Sequence, residues 1–208
     1  MRSVETLRRR TKARLVRFRS ILGRVLRRSP GDGDVWAAFV TIEGLNLWAE
    51  FARDYFRCAL RHDATRSGQL LTTKFPRGTS LEKALRQIPS ALRKNSGTEL
   101  KRIHEPAWHS RRYFLKTVRL AGLSTVAQVE AAFALPVRFT KDLHVARNFF
   151  AHRNSETAAE VRRLGPRYSI LRVRHPCDLI LGTEPGRPVV VLEDWLAEVE
   201  MVVDHMSA

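Results

Sequence analysis

An arginine and a histidine five positions apart are the residues of this chain best suited to chemistry. Arg147 is followed directly by Asn148, and His152 comes after two phenylalanines and an alanine. An arginine can hold two phosphate oxygens and stays charged, whereas a histidine takes up or releases a proton near neutral pH. Cleavage of an RNA phosphodiester without a metal needs a base, an acid and a cation at the phosphate. Arg147 can supply the cation, His152 can supply the base or the acid, and Asn148 can position the phosphate or the imidazole.

A helix over residues 139–152 places the three side chains on one face. Because each residue turns an α-helix by about 100°, the segment divides into an apolar half and a polar half. The apolar half holds Phe139, Leu143, Val145, Ala146, Phe149 and Phe150, and the polar half holds Thr140, Lys141, His144, Arg147, Asn148 and His152. Asp142 is the one charged residue on the apolar side. A polar face of basic and imidazole groups without a carboxylate favours a polyanion as the partner.

This pattern resembles the signature of the HEPN superfamily, in which Arg, a polar residue, three further residues and His form the site of metal-independent ribonucleases. The resemblance extends over roughly residues 34–206, although only residues 147–152 are specific. It implies that His152 acts as general base or acid, that Arg147 stabilises the phosphate and that Asn148 positions the reacting groups. One Arg and one His are too few for a complete site. The resemblance therefore also implies a homodimer in which two motifs face one shared cleft.

Neighbouring residues extend the predicted site. Lys141, His144 and Arg153 are predicted to bind RNA beside the motif. Glu50 belongs to a polar stripe on the long helix that precedes the motif, and we predict that it orients His152 or pairs with the arginine; a solvent-facing helix edge is the alternative. HEPN toxins paired with nucleotidyltransferase antitoxins often carry a Tyr two positions after the His. The residue here is Asn154, so regulation through such a Tyr is not expected.

Charge and cysteine content narrow the class of protein. The 208 residues carry a formal net charge of +16, which favours nucleic acid or an anionic membrane surface as the partner. Most basic residues are Arg, to which a GC-rich genome would also contribute. The two cysteines, Cys58 and Cys177, lie far apart without metal-ligand spacing, which predicts a reducing cytoplasm, no disulfide framework and no metal site. The sequence has no apolar run long enough to predict a transmembrane helix, and its N-terminus lacks the apolar core that would predict a secretory signal.

The first 28 residues form a basic amphipathic segment. They carry eleven Arg or Lys and one acid, Glu5, while apolar residues recur at helical spacing. Four interpretations compete: a nucleic-acid-binding arm, a helix on a membrane surface, a mitochondrial transit peptide, or a helix packed on the domain with a solvated basic back. A break over residues 29–33 follows. We therefore predict a basic N-terminal extension over residues 1–30 and a HEPN-like helical domain over residues 34–206.

The remaining pattern predicts an all-α bundle of five to seven helices. The predicted helices cover residues 35–62, 79–88, 106–121, 126–135, 139–152, 155–164 and 191–206, and the predicted loops or irregular segments cover residues 63–79, 89–98 and 167–188. Asp34, Thr79, Thr125 and Ser155 are the predicted N-caps, and Pro106 is a predicted first-turn residue.

Two other constellations carry less chemistry. His104 and His109 lie one position too far apart for a helical zinc-protease motif, and Pro106 interrupts the helix that such a motif needs. His175 lies near Cys177 in a predicted loop, where a thiol and an imidazole meet incidentally. Neither pair predicts a catalytic site, and the chain has no glycine-rich nucleotide loop.

The expected function is a metal-independent endoribonuclease of HEPN type that needs no cofactor. The resemblance implies a toxin or antiphage-defence effector, with RNA as substrate and an antitoxin or defence-system protein as a further partner. The competing class is a non-catalytic helical module that binds nucleic acid or a protein. Such a module would keep the basic surface without needing Arg147 and His152 together.

Overall fold

The computed structural model describes residues 3–26, 30–88 and 102–208. Helices account for 68% of the described residues, which contain no β-strand, and this confirms the all-α class. The α-helices are α1 (Val4–Val25), α2 (Pro30–Arg61), α3 (Leu81–Arg86), α4 (Arg111–Leu120), α5 (Val126–Ala134), α6 (Phe139–His152), α7 (Ser155–Arg162), α8 (Pro176–Ile180) and α9 (Val191–Ser207). Single 3-10 turns occur at Arg102–His104 and Gly165–Tyr168. Within the described ranges, no helix combines the length and apolar character needed to cross a bilayer.

The chain divides into two compact units. Unit 1 comprises Met1–Thr11, Trp48–Pro136 and Met201–Ala208, and unit 2 comprises Lys12–Leu47 and Val137–Glu200. The motif helix α6 therefore belongs to unit 2. The helices α1, α2 and α9 each contribute residues to both units, so this division does not coincide with the predicted one at residues 30–34.

Aromatic side chains of α2 fill the core of unit 1. Trp48 is fully buried and meets the rings of Phe114 and Phe133 edge-on, at centroid distances of 6.0 and 5.6 Å. Edge-to-face pairs of this kind add to the burial of large apolar area. Arg53 donates two hydrogen bonds of 2.6 Å to the carboxylate of Glu105. This bidentate pair satisfies a carboxylate that is itself buried.

The core of unit 2 forms around the apolar face of α6. Phe139, Leu143 and Ala146 are completely buried, as is Trp195 of α9. Gly44 of α2 permits close packing here, because a Cβ atom at this position would lie 3.2 Å from Leu196 and 3.8 Å from Leu143. The predicted amphipathic division of the motif helix is thus confirmed on its apolar side.

The basic N-terminal helix α1 is packed into the fold. Leu15, Phe18 and Leu22 are buried, and several of its cations are neutralised by acids of the same unit. The ion pairs are Arg8 and Arg9 with Glu5, Arg8 with Asp204, Lys12 and Arg19 with Glu200, and Arg14 with Glu43. Among the four interpretations of this segment, the structure shows the packed helix. Losing one such buried apolar side chain would cost roughly 2 kcal/mol.

Several predicted helix starts were wrong. The helix α2 begins at Pro30 rather than at an Asp34 cap, so the expected break does not extend through residues 30–33; residues 27–29 lie outside the described part. A proline suits a first helical position because its missing N–H has no helical partner there. Pro106 lies before a helix that begins only at Arg111. The predicted loop over residues 89–98 also lies outside the described residues.

Three predicted N-caps differ from those in the structure. Ser80, not Thr79, caps α3, and Asn154, not Ser155, caps α7 in a reciprocal capping box. Thr125 makes no side-chain cap, because its hydroxyl lies 3.1 Å from the Tyr55 hydroxyl in the core of unit 1. The segment over residues 167–188 was predicted as irregular, but it contains the short helix α8.

Candidate functional site

The motif helix α6 is held at both ends by hydrogen bonds from unit 2. The backbone N–H groups of Arg138 and Phe139 each donate to the carboxylate of Glu198 at 2.8 Å. An acid at a helix N-terminus satisfies orphan donors and complements the helix dipole. At the other end Arg153 adopts a left-handed conformation with φ 44° and donates its backbone N–H to Phe149 at 2.7 Å. The helix bounds, Phe139–His152, are those the sequence predicted.

Asp142, the acid on the apolar side of α6, anchors the helix in the core. Its side chain is only 1% exposed. One carboxylate oxygen accepts a 2.8 Å hydrogen bond from the Tyr168 hydroxyl, and the other accepts a 3.1 Å bond from Arg167. Trp195 donates to the same Tyr168 oxygen at 2.7 Å. A buried carboxylate is tolerated when it is paired and hydrogen-bonded in this way, so Asp142 fixes the rotation of α6 about its axis.

The polar face of α6 joins three of the predicted residues. Arg147 donates to the side-chain oxygen of Asn148 at 3.4 Å, and the Asn148 amide nitrogen lies 3.2 Å from Nε2 of His144. All three side chains are half-buried. The structure thus brings Arg147, Asn148 and His144 into contact, with the asparagine between the guanidinium and the imidazole. His144 was predicted only as an RNA-binding neighbour.

His152 occupies a different environment from His144. It is exposed at the end of α6, as are Lys141 near the helix start and Arg153 directly after the helix. Within the described part of the chain, no hydrogen bond to the His152 side chain is present. Since Asn148 and His152 are four positions apart on one helix, they lie on the same face. The His152 imidazole is therefore accessible to a ligand that also reaches Asn148.

Burial and a neighbouring cation set the protonation of His144. Burial lowers its pKa, and the charge of Arg147 lowers it further, whereas the charge of Glu160 on α7 opposes the shift. The imidazole is therefore neutral at pH 7, so it can accept a hydrogen bond or a proton. The helix α7 packs against α6, which is how Glu160 reaches His144. No local pattern in the sequence indicates this acid, since Glu160 follows His152 by eight positions across a turn.

The lowered pKa of His144 predicts a pH-dependent stability. The ordinary pKa of histidine is about 6.5, so below this value the unfolded chain binds more protons at His144 than the folded chain does. The contribution of His144 to the free energy of unfolding is therefore complete above pH 6.5, and it is lost as the pH falls through the folded-state pKa. We expect His144→Gln to lose less stability than wild type between pH 7.5 and pH 5. Urea unfolding at both pH values measures the difference.

A second variant separates the two causes. Arg147→Gln removes the nearby charge but leaves His144 buried, so its loss of stability on acidification should lie between those of wild type and His144→Gln. If His144→Gln loses as much stability as wild type, other groups control the pH dependence and His144 does not.

Glu50 and the cluster on α6 are assigned to different units of the chain. It is a half-buried residue of α2 that belongs to unit 1, whereas α6 belongs to unit 2. Its role in orienting His152 or pairing with Arg147 stays a prediction. The acid whose charge is felt on the polar face of α6 within unit 2 is Glu160.

A second group of polar side chains in unit 2 includes the His175 and Cys177 pair that the sequence analysis set aside. Asp34, His175 and Cys177 place one ligand atom each within 4.8 Å of one another. His175 also meets the ring of Phe149 on α6 edge-on, at a centroid distance of 5.8 Å. Burial raises the pKa of the Cys177 thiol, and its hydrogen bond to the Asp34 carboxylate raises that pKa further. Asp34 is more than 140 positions away, so spacing alone could not reveal this cluster.

Comparison with protein-family models, with curated proteins and with solved structures finds no match to this chain. The resemblance to the HEPN superfamily therefore rests on the motif residues and on the helical surroundings described above.

Proposed function

We propose that this protein is a metal-independent endoribonuclease of HEPN type, acting in the cytoplasm as a toxin or antiphage-defence effector. The observation that carries the proposal is the polar face of α6. There the guanidinium of Arg147, the amide of Asn148 and the imidazole of His144 are in contact, and His152 follows on the same face. The face carries basic, imidazole and amide groups and no carboxylate. Such a surface suits a phosphodiester.

The proposed reaction is an intramolecular transesterification. One imidazole takes the proton from the 2′-hydroxyl, and the resulting oxygen attacks phosphorus. The bond from phosphorus to the 5′-oxygen breaks, and the leaving oxygen receives a proton. His152 is the proposed acid or base because its ring is exposed to substrate, and Arg147 stabilises the charge on the phosphate oxygens. Asn148 positions the phosphate, and His144 positions Asn148 through their 3.2 Å contact.

Binding and assembly complete the proposal. Lys141 and Arg153 are exposed at the two ends of α6, where they can contact RNA phosphates on either side of the reacting bond. One motif provides one exposed imidazole for a reaction that moves two protons. The proposed active form is therefore a homodimer that combines two motifs, and an antitoxin or defence-system protein would control it.

A non-catalytic nucleic-acid-binding module is the second candidate, and one observation favours it. Four arginines of unit 2 are exposed: Arg162 at the end of α7, Arg163 directly after it, and Arg172 and Arg174 in the segment before α8. A cluster of exposed arginines binds polyanions without any chemistry. In this alternative the contacts on the polar face of α6 serve binding or stability alone.

An assay for cleavage in the presence of a chelator separates the two candidates. Total RNA and purified tRNA are incubated with the protein in excess EDTA, and the ends of any fragments are identified. The proposed reaction should produce 2′,3′-cyclic phosphate and 5′-hydroxyl ends, because the 2′-oxygen is the nucleophile. Binding without cleavage of any RNA would favour the non-catalytic module, and cleavage only with added metal would contradict the proposed chemistry.

A further inference from the structure

The cluster of Asp34, His175 and Cys177 is built from two separate parts of unit 2. Asp34 lies near the start of α2, whereas His175 and Cys177 lie at the start of α8. The nearest imidazole nitrogen, Nδ1 of His175, lies 3.9 Å from a carboxylate oxygen of Asp34. The Cys177 sulfur lies within 4.8 Å of both a carboxylate oxygen of Asp34 and a ring nitrogen of His175. Three different ligand types therefore lie close together. Nδ1 of His175 accepts a 3.3 Å hydrogen bond from the Cys177 backbone N–H, and a cation at this nitrogen would replace that bond.

The ligand set matches the preferences of one kind of metal ion. Thiolate sulfur, imidazole nitrogen and carboxylate oxygen are the three donors that bind Zn²⁺ in proteins, at about 2.0 to 2.3 Å. Ligand atoms around a tetrahedral ion at such distances lie about 3.3 to 3.8 Å apart. The observed separations, all within 4.8 Å, need only small side-chain movements to reach this geometry. Asp34 and His175 are exposed while Cys177 is buried, so the ion has both an entry path and a fixed ligand.

We propose that Asp34, His175 and Cys177 form a binding site for a zinc-type divalent cation, with water as the fourth ligand. The ion would connect the start of α2 to the start of α8. Because Phe149 of α6 lies edge-on against the His175 ring, the site also supports the back of the motif helix.

The charges around the cluster fit a cation. Asp34 and Asp178 place negative charge beside Cys177, and the charge of Arg153 opposes them. The Cys177 thiol would lose its proton on binding a metal ion. Asp178 accepts hydrogen bonds from the backbone N–H groups of Arg174 and His175, at 2.9 and 2.8 Å. Its carboxylate therefore supports the ligand-bearing turn as an outer partner, as is common for metal ligands in proteins. A divalent ion balances the two anionic ligands.

Cobalt binding by the tag-free, chelator-treated full chain tests the site. Co²⁺ bound to a thiolate gives a sulfur-to-metal charge-transfer band in the near ultraviolet and strong visible bands when it is tetrahedral. We expect these bands to saturate at equimolar cobalt and to disappear when Zn²⁺ is added. Zinc should also raise the thermal midpoint, because a ligand that binds only the folded state stabilises it.

Matched variants assign the ligands. Cys177→Ser should lose the charge-transfer band, whereas Cys58→Ser, which alters the buried thiol of unit 1, should keep it. Asp34→Asn changes an exposed side chain, and His175→Asn keeps an N-capping side chain at the start of α8. Both should weaken cobalt binding by at least about 100-fold. The proposal is overturned by the absence of the band in wild type, by its persistence in Cys177→Ser, or by unchanged affinity in Asp34→Asn.

The metal site is independent of the proposed ribonuclease chemistry. Excess EDTA should remove the ion and the zinc-dependent rise in thermal midpoint while RNA cleavage continues. If EDTA abolishes both, the metal site is supported and the metal-independent ribonuclease chemistry is contradicted; if EDTA abolishes neither, the cluster holds no exchangeable ion and the metal-site proposal fails.

Discussion

Alanine at Arg147 or at His152 is expected to abolish RNA cleavage and to leave the helical content unchanged. His152 contributes the proposed proton transfer, a role that accelerates reactions by about 10² to 10⁴. Arg147 contributes the charge that stabilises the phosphate in the transition state, where losing one such group costs about 10² to 10³ in rate. His152 is exposed and Arg147 half-buried, and alanine is the best helix former. Fragment formation in EDTA and far-ultraviolet circular dichroism measure the two properties.

Lys141→Ala is the matched control for these two variants. Lys141 is exposed on the same polar half of α6, and its replacement by alanine also removes a polar nitrogen-bearing side chain from that face. Because Lys141 contacts RNA rather than the reacting phosphate in the proposed site, the variant should bind RNA more weakly, with a smaller salt dependence. Its cleavage rate at saturating RNA should stay close to that of wild type. Full activity of either Arg147→Ala or His152→Ala would remove that residue from the mechanism.

The motif helix was predictable because its signals are local. Apolar residues recur with helical period from Phe139 to Phe150, and Pro136 separates the segment from the preceding helix. Both bounds of α6 were therefore predicted correctly. The closing helix α9 was predicted almost to the residue for the same reason, because its apolar residues also recur at helical spacing. Those residues are completely buried in the structure.

Features that depend on distant residues could not be predicted. The hydroxyl of Thr125 was expected to cap α5, but Tyr55, seventy positions earlier, takes it instead. Asp142 was recognised as the one charge on the apolar side of the helix. Its partners Arg167 and Tyr168 could not be foreseen, because they lie 25 and 26 positions later in the chain. Side-chain hydrogen bonds of this kind override local capping preferences, because a buried polar group without a partner costs more than a lost cap.

The sequence indicated which residues of α6 share the polar face, but it indicated their contacts and burial only in part. Helical spacing correctly placed Arg147 and Asn148 on one face with His144. It could not show that His144 is half-buried and neutral, since this depends on burial within unit 2 and on Glu160 of α7. The sequence placed His175 near Cys177 but treated the pair as incidental. It gave no indication that Asp34, more than 140 positions away, lies beside them.

A two-fold dimer is expected to be the active form, with the two motifs opposed across one cleft. The reaction moves one proton from the 2′-hydroxyl and another to the leaving oxygen, whereas each chain offers one exposed imidazole on this face, His152. Two copies supply both, and symmetric pairing is the commonest assembly of identical chains. The specific activity should therefore fall on dilution below the dimer dissociation constant. Light scattering and sedimentation measure the mass over the same concentrations.

Mixing the two inactive variants tests whether the site is shared. His152→Ala and Arg147→Ala chains should each be inactive alone. An exchanged mixture recovers part of the wild-type activity only if one Arg147 from one chain and one His152 from the other are sufficient in the shared cleft. A mixture of Arg147→Ala chains with wild-type chains is the control for subunit exchange. Restoration that appears only after subunit exchange, and that depends on protein concentration as the dimer mass does, shows that the site is composite. If the reaction needs both copies of each residue, the mixture stays inactive while dilution still lowers wild-type activity. A chain that stays strictly monomeric at concentrations where it is fully active would instead prove that one motif suffices, and the second imidazole would then have to be His144 of the same helix.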